Sequence, residues 1–372
     1  MLAAILLAIP AVGAMELHDA VTANDLVQID ALVASGSPIN AVNGENMTAL
    51  SLAASKGYAK ATQALLKGGA AIGTDLHWAA MRGHVEVLEV LLGAGAEVDG
   101  PQPEGEGLAA RTPLHSAVIG NQAAAIALLV NAGASVDVQD EEQNTPLFLA
   151  AKRGHAAAIK ALVKAGAYAW RKGYGGQVTP LQIAANSGHD QAVFELVVAL
   201  GRRAAELDAK DANGRTALHM AAAQGHMAAM IQLLAAGADV GGGAEAGKHE
   251  TPLHWAALRG HVEAIKLLVG EGASLEARDG GQMTPLELAQ DANQTDTATM
   301  LEALEKKERP DSPPDTDTVE VDGGFGTFAL RFLVGAGLLG LAKVTYALLP
   351  SFWSGAKGGK PKRKLKQARA QR

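Results

Sequence analysis

The chain has 372 residues and no cysteine, which excludes disulfides, cysteine-ligated metal sites and thiol nucleophiles. Only 4% of the residues are aromatic, whereas alanine and glycine are abundant, and this composition favours closely packed short helices over one large globular core. The net charge of −7 is unevenly distributed: residues 355–372 carry eight Lys or Arg and no acid, so the rest of the chain sums to 24 − 39 = −15. The acidic body and the basic end therefore need separate explanations.

The first 14 residues form a short apolar run that ends in Val12-Gly13-Ala14. Small residues at that point are typical of a signal-peptide cleavage site, but no basic residue precedes the apolar run. Two interpretations of residues 1–14 follow: a cleaved signal peptide, or an apolar leader that packs on the structure that comes next.

A glycine or asparagine recurs every 26 to 38 residues between Met15 and Lys307. The nine positions are Asn24, Gly57, Gly83, Asn121, Gly154, Gly188, Gly225, Gly260 and Asn293. A second glycine follows twelve positions later in seven of the nine copies. Because glycine and asparagine best tolerate a positive φ, the pattern predicts units of two helices, each helix ended by a left-handed residue. We expect φ > 0 at all three asparagines.

The helix starts repeat as well. The clearest copy reads Thr251-Pro252-Leu253-His254-Trp255-Ala256-Ala257, in which threonine is an N-cap and proline occupies the first helical position. These residues resemble the signature of the ankyrin-repeat family over 15–307. The resemblance implies an all-α repeat solenoid of about nine helix–turn–helix units, with short β-hairpin fingers between units, that binds proteins through its concave face and its fingers.

Three departures from the repeat are visible. Only Ala70 to Gly73 separate the second unit from Thr74, so we expect a gap in the row of fingers there. The connection from Asp99 to Arg111 is lengthened instead. The first unit lacks the Thr-Pro start, which indicates a capping unit.

Ten of the eleven histidines occupy two fixed repeat positions, which the resemblance assigns to hydrogen bonds with the backbone of neighbouring turns. We therefore expect no metal ligands, no cofactor and no catalytic residues. Gly335 to Gly340 match a dinucleotide-binding pattern, but they lie in an apolar stretch without a βαβ unit. The sequence therefore predicts that the chain is not an enzyme.

The exposed positions of the first helices are the residues just before each helix stop, and two tryptophans lie close by. Cationic and apolar side chains on one concave surface form a candidate docking strip for an acidic, hydrophobic peptide. The candidate protein-binding residues are Lys56, Trp78, Met81, Arg82, Lys152, Arg153, Asn186, Gln224, Trp255, Leu258 and Arg259.

Three further segments follow the repeats: a disordered acidic linker (308–324), an apolar stretch (325–353) and a basic tail (354–372). Residues 328–349 would span about 33 Å as a helix, enough to cross a bilayer, although Arg331 and Lys343 lie within them. A C-terminal hydrophobic helix that crosses the membrane or lies on it is therefore expected, with the tail in contact with anionic lipid.

The two ends constrain the topology. A signal peptide would place the repeats on the luminal side of a secretory-pathway membrane, with the basic tail in the cytosol, as the positive-inside rule favours. Without one, the repeats face the cytosol from an organelle membrane. The sequence therefore predicts a single-pass, membrane-anchored adaptor that binds a protein partner, with no nucleic acid expected. The alternative is a soluble nuclear or nucleic-acid-associated regulator that uses the basic tail.

Overall fold

The computed structural model describes residues 15–101, 110–201, 203–243 and 249–308, which form short helices joined by turns. These helices make nine units, in agreement with the predicted number. The segments 1–14, 309–324, 325–353 and 354–372, on which the leader, linker, membrane and tail predictions fall, lie outside the described residues. Within the described part of the chain, no helix combines the length and the apolar character needed to cross a membrane.

Each unit contributes a first, inner helix and a second, outer helix. The inner helices are residues 15–23 (α1), Ala49–Lys56 (α3), Asp75–Arg82 (α5), Pro113–Ile119 (α7), Pro146–Arg153 (α9), Pro180–Asn186 (α11), Ala217–Gln224 (α14), Pro252–Arg259 (α16) and Pro285–Asp291 (α18). The outer helices are Leu26–Ala34 (α2), Ala59–Lys67 (α4), Val85–Gly93 (α6), Ala123–Asn131 (α8), Ala156–Lys164 (α10), Asp190–Leu200 (α12), Met227–Ala235 (α15), Val262–Gly270 (α17) and Thr295–Glu308 (α19).

Threonine N-caps begin the inner helices, as predicted. In α9, for example, the Thr145 hydroxyl accepts the backbone N–H of Phe148, and Pro146 follows at the first helical position. The third unit differs because its short connection leaves Thr74 without a capping bond. There the buried carboxylate of Asp75 accepts the backbone N–H of Gly73 at 2.7 Å and the Ser51 hydroxyl at 2.6 Å.

The predicted left-handed helix stops are confirmed. Asn24, Asn121 and Asn293 have φ values of 54°, 55° and 57°. The glycines at the equivalent positions also have positive φ, for example 80° at Gly57. The sixth unit departs from the pattern after its outer helix, because α12 runs on to Leu200 and a short additional helix, Ala204–Leu207 (α13), follows it.

One apolar core runs through the whole stack. It begins at Leu17 in the first unit and continues without interruption to Leu301 in the last. Alanines of the inner helices, such as Ala53 and Ala54, are fully buried and let successive units approach closely, while leucines such as Leu65 fill the space beneath the outer helices. Since each unit buries its apolar face only against its neighbours, the units stabilise one another.

The predicted β-hairpin fingers are present as tight turns rather than as two-stranded ribbons. In four of them an Asn or Asp at the start of the turn accepts the backbone N–H of the residue four positions later; these are Asn43, Asp140, Asp211 and Asp279. Among the described residues, only two isolated β-bridges form, Val42 with Thr48 and Gly173 with Val178.

The gap predicted between the second and third units is confirmed. Only residues 68–74 connect α4 to α5, and no β-bridge forms there, whereas residues 132–145 connect α8 to α9. The Asn40 side chain accepts the backbone N–H of Ala71 in the short connection at 2.8 Å, as Asp137 does for Tyr168 in a longer one.

Candidate protein-interaction surface

The eleven predicted binding residues lie along the inner helices and define what we call the inner strip. Each inner helix from α3 to α16 packs directly on the next one, so the ends of these helices form a row. The exposed members are Lys56, Arg82, Arg153, Asn186, Gln224 and Arg259, and the half-buried members are Trp78, Met81, Lys152, Trp255 and Leu258. All eleven are therefore on the surface, although the tryptophans expose only part of their rings.

The inner strip is positively charged although the protein body is acidic. The inner helices from α3 to α16 carry five Lys or Arg, all of which belong to the strip. Their single acid is Asp75, which is 1% exposed and already hydrogen-bonded. Positive charge in the last helical turn also stabilises the helix dipole, a structural role that contributes about 0.3–1 kcal/mol per site. Stabilisation of the helix dipole does not explain why the remaining positions of these helices carry no exposed Asp or Glu.

The cations of the inner strip lack carboxylate partners. Within the described ranges, no salt bridge is made by Lys56, Arg82 or Arg153, nor by Lys152 or Arg259. Positive side chains without a carboxylate partner are able to meet the carboxylates of another molecule.

An unsatisfied donor lies beneath the same surface. The Trp255 indole N–H is inaccessible to solvent and has no acceptor among the described residues. The guanidinium of Arg215 lies over the Trp255 ring, 5.9 Å from its centroid, and is paired with Asp211 at 2.8 Å. The ring is therefore held in place by its neighbours, while its unsatisfied N–H lowers the stability of the fold because it is desolvated without an acceptor.

Two sets of histidines join each unit to its neighbours. Those of the first set lie in the inner helices and reach forward: His115 Nε2 lies 3.2 Å from the Asn144 carbonyl of the next turn. Those of the second set follow the helix stops and reach backward: His189 Nε2 lies 3.2 Å from the Lys152 carbonyl. All ten bond a backbone carbonyl of an adjacent unit, as predicted; the first set is His18, His77, His115, His219 and His254, and the second is His84, His155, His189, His226 and His261.

The turn between α10 and α11 carries an exposed aromatic group that is not among the predicted binding residues. Tyr168, Trp170 and Tyr174 have 50%, 38% and 54% of their surface exposed, in a chain with few aromatic residues. The Lys152 ammonium of the inner strip lies 4.8 Å from the centre of the Tyr174 ring, so the two surfaces are continuous. Three aromatic residues within seven positions of a turn, in so aromatic-poor a chain, were the signal available in the sequence.

Comparison with known proteins decides the family. The family model for ankyrin repeats matches residues 17–102, 76–173, 172–244 and 230–311, which together cover nearly all described residues. The chain belongs to the ankyrin-repeat family. A comparison with curated protein sequences finds no match.

Solved ankyrin structures are similar to this stack. The crystal structure of the human ASB11 ankyrin repeat domain is 28% identical, with a TM-score of 0.52, and the match covers 64% of this chain and 98% of that one. The ankyrin repeat domain of Bcl-3, described as a unique member of the IκB protein family, is also 28% identical, with a TM-score of 0.51, and the match covers 61% of this chain and 97% of that domain's chain. Ankyrin repeat domains bind protein partners, so the stack is an interaction domain.

Burial sets the protonation of the forward-reaching histidines. Desolvation lowers the pKa of His115 and of His219 to about 4, and also lowers that of His254. In each ring Nδ1 accepts the backbone N–H of the preceding threonine cap, at 3.2 Å in His115 and 3.1 Å in the other two. The single ring proton therefore stands on Nε2, which donates to the next unit. These histidines are neutral structural bridges.

A depression of about 310 Å³ in the last unit is lined by Leu275, Arg278 and Glu287 among others, away from the inner strip. No group of three His, Asp or Glu in the described part of the chain is placed to hold a metal ion. The surface chemistry is thus concentrated on the inner strip and on the aromatic turn.

Proposed function

We propose that this ankyrin stack is a non-enzymatic adaptor that holds an acidic segment of a partner protein along the inner strip. The observation that carries the proposal is the charge of the inner helices. Five surface cations, none of which makes a salt bridge within the described ranges, stand on helices whose only acid is buried, in a protein body of net negative charge. Because like charges repel, the acidic remainder of the body would direct an acidic segment toward this strip.

Charge reversal within a single unit tests the strip. Lys152→Glu with Arg153→Glu reverses the two cations of α9, while Lys160→Glu with Lys164→Glu reverses two exposed cations of α10 on the outer side of the same unit. Both variants change the net charge equally. We expect proximity labelling in the native cell to mark the same proteins with the α10 variant as with the unaltered chain, and to lose a subset with the α9 variant. Equal labelling by all three chains would contradict the proposal.

The adaptor is further proposed to act at a membrane, anchored through residues 325–353 with the basic tail on anionic lipid. The support is the length and apolar character of that stretch and the eight cations that follow it. Membrane fractionation tests this: we expect the protein to stay in the pellet after alkaline extraction. Release by salt from a chromatin fraction would instead support the nuclear regulator.

Glycosylation reports the side of the membrane. Asn46 begins an Asn-Met-Thr sequon, is exposed and stands at the tip of a turn, so it is accessible to the transferase. If residues 1–14 are a signal peptide, the protein begins near Met15 and loses mass on endoglycosidase treatment. An intact Met1 on a protein whose repeats are digested by protease outside sealed vesicles would place the repeats in the cytosol.

A further inference from the structure

The turn formed by residues 167–178, which we call the aromatic finger, is built differently from the other fingers. Gly173 stands at the position where four of the other turns have the Asn or Asp side chain that closes them. Its backbone passes through three consecutive residues of positive φ, Tyr174, Gly175 and Gly176, at 54°, 66° and 77°. A tyrosine in the left-handed region is unfavourable and persists only where its surroundings impose it.

Phe148 explains the altered backbone. In five other units this inner-helix position is a histidine that bonds the next turn, but here a fully buried phenylalanine ring occupies it. A Cβ on Gly173 would lie 2.6 Å from the Phe148 ring, so glycine is required where that ring packs against the finger. The Tyr174 ring meets Phe148 edge-on, with centroids 6.2 Å apart. Aromatic packing thus replaces the histidine bridge at this interface.

The finger is fastened on both sides while its rings stay exposed. Asn144 of the preceding finger accepts the backbone N–H of Tyr174 at 3.0 Å, and Asp137 accepts that of Tyr168 at 3.2 Å. Toward the following finger, the Lys172 ammonium donates to the Lys210 carbonyl at 2.9 Å. A surface held rigid before binding loses less conformational entropy when a partner docks.

The exposed rings are paired with cations. Trp170 stacks at a tilt on Tyr168, with centroids 4.9 Å apart, and the Arg203 guanidinium lies 4.4 Å from the centre of the Trp170 ring. Arg203 is also 3.5 Å from Glu206, a long and exposed ion pair. Arg171 and Lys172 add positive charge, and residues 167–178 contain no acid. A cationic partner is disfavoured here, whereas an aromatic side chain flanked by carboxylates fits both the rings and the charge.

We propose that the aromatic finger anchors the partner: the acidic segment bound along the inner strip carries an aromatic side chain that packs on Trp170 and Tyr168. The inference rests on the proposed function, since the Lys152 ammonium over Tyr174 joins the strip to the finger. The occupant is a segment of another protein, in which the aromatic anchor supplies position and the carboxylates supply orientation.

The test uses the full chain and two labelled synthetic peptides. One consists of Asp and Glu around a single central Trp, and the other has Ala in place of that Trp. We expect fluorescence anisotropy to show the Trp peptide binding roughly 3- to 10-fold more tightly to the unaltered chain. The preference should vanish in Trp170→Ala and persist in Phe194→Ala, which removes an exposed ring from the outer helix α12.

The outcomes separate the finger from the strip. Equal binding of the two peptides to the unaltered chain, or a preference that survives Trp170→Ala, would overturn the finger proposal alone. If Lys152→Glu with Arg153→Glu leaves the affinity for both peptides unchanged while Trp170→Ala abolishes the preference, the finger proposal stands and the strip fails. Absence of binding by either peptide would overturn both.

A third peptide distinguishes the source of the acidic segment. Residues 309–322 of this chain are acidic and rich in proline but contain no aromatic residue. We expect the unlabelled 309–322 peptide to compete no better than the Ala peptide. Competition as strong as that of the Trp peptide would assign the finger to the chain's own segment and overturn the assignment to a partner protein.

Discussion

The two fingers on either side of the fifth unit are attached to the stack by different contacts. The finger at residues 135–144 is acidic, closes its turn with Asp140 and is held by the His115 bridge. The aromatic finger at 167–178 is basic, closes around Gly173 and is held by the Phe148 ring. The stack needs each finger to be attached, but it does not prescribe the attachment. Where Phe148 replaces the repeat histidine, the exposed side chains of the finger change from acidic to aromatic and basic. A joint departure of this kind is typical of a functional site.

Removing the Phe148 ring should give the largest effect. Phe148→Ala deletes a fully buried aromatic side chain and is expected to lower the free energy of unfolding by about 3–5 kcal/mol. Urea denaturation followed by circular dichroism measures the loss. Phe148→Leu, which keeps most of the volume, is the control and should lose less. A loss below about 1 kcal/mol in Phe148→Ala would show that the aromatic finger is held by its backbone bonds alone.

The histidine bridge and the Phe148 packing should differ in how their contributions to the free energy of unfolding depend on pH. Because burial lowers the pKa of His115 and His219 from 6.5 to about 4, the unfolded chain takes up protons first as the pH falls. Their contribution is complete above pH 6.5 and is lost toward pH 4, with about 2 kcal/mol lost per histidine at pH 5. Urea midpoints at pH 7.5 and pH 5 report the change.

Glutamine provides the control for this pH effect. Gln182 occupies the same helix position in the sixth unit, accepts the backbone N–H of Thr179 at 2.8 Å and donates to the Arg215 carbonyl at 2.8 Å. His115→Gln with His219→Gln should therefore keep both bridges and flatten the midpoint difference between the two pH values. An unchanged pH dependence in this variant would assign the acid sensitivity to other groups.

Gly173→Ala should give an intermediate effect. The added methyl collides with the Phe148 ring, and overpacking of this kind costs about 1–3 kcal/mol. The same substitution in a Phe148→Ala background should be less costly, because the vacated volume admits the methyl group. Equal costs in the two backgrounds would mean that positions 148 and 173 are not coupled.

The smallest effect on stability is expected on the inner strip. Lys152→Gln with Arg153→Gln removes two charges from the last turn of α9, and the helix dipole accounts for about 0.3–1 kcal/mol per site. Thermal unfolding should therefore change little, although binding of an acidic peptide should weaken. A large drop in the unfolding temperature would show that these cations serve the fold rather than a partner.

The sequence predicted the features that depend on local geometry. A left-handed stop tolerates few residue types, so Asn24 and Asn121 could be placed in that conformation from their repeat position alone. The histidine bridges could be predicted because they recur in register from one unit to the next.

The aromatic finger could not be predicted in this way. Its geometry depends on contacts between residues distant in the chain, such as Arg203 over Trp170. Helical periodicity carries no information about a turn. The additional helix α13 is missed for the same reason, since it is four residues long and lies outside the repeat pattern.

Because the histidines bond both the preceding and the following unit, the stack should open from its ends. The last carbonyls of an inner helix have no partner within their own helix, and in the fifth unit His189 of the following unit supplies one at the Lys152 carbonyl. An internal unit can open only if bonds on both sides break together, whereas a terminal unit has a single neighbour to leave. Breathing motions should therefore enter from the ends, and amide hydrogens in the central units that carry the strip and the aromatic finger should exchange last.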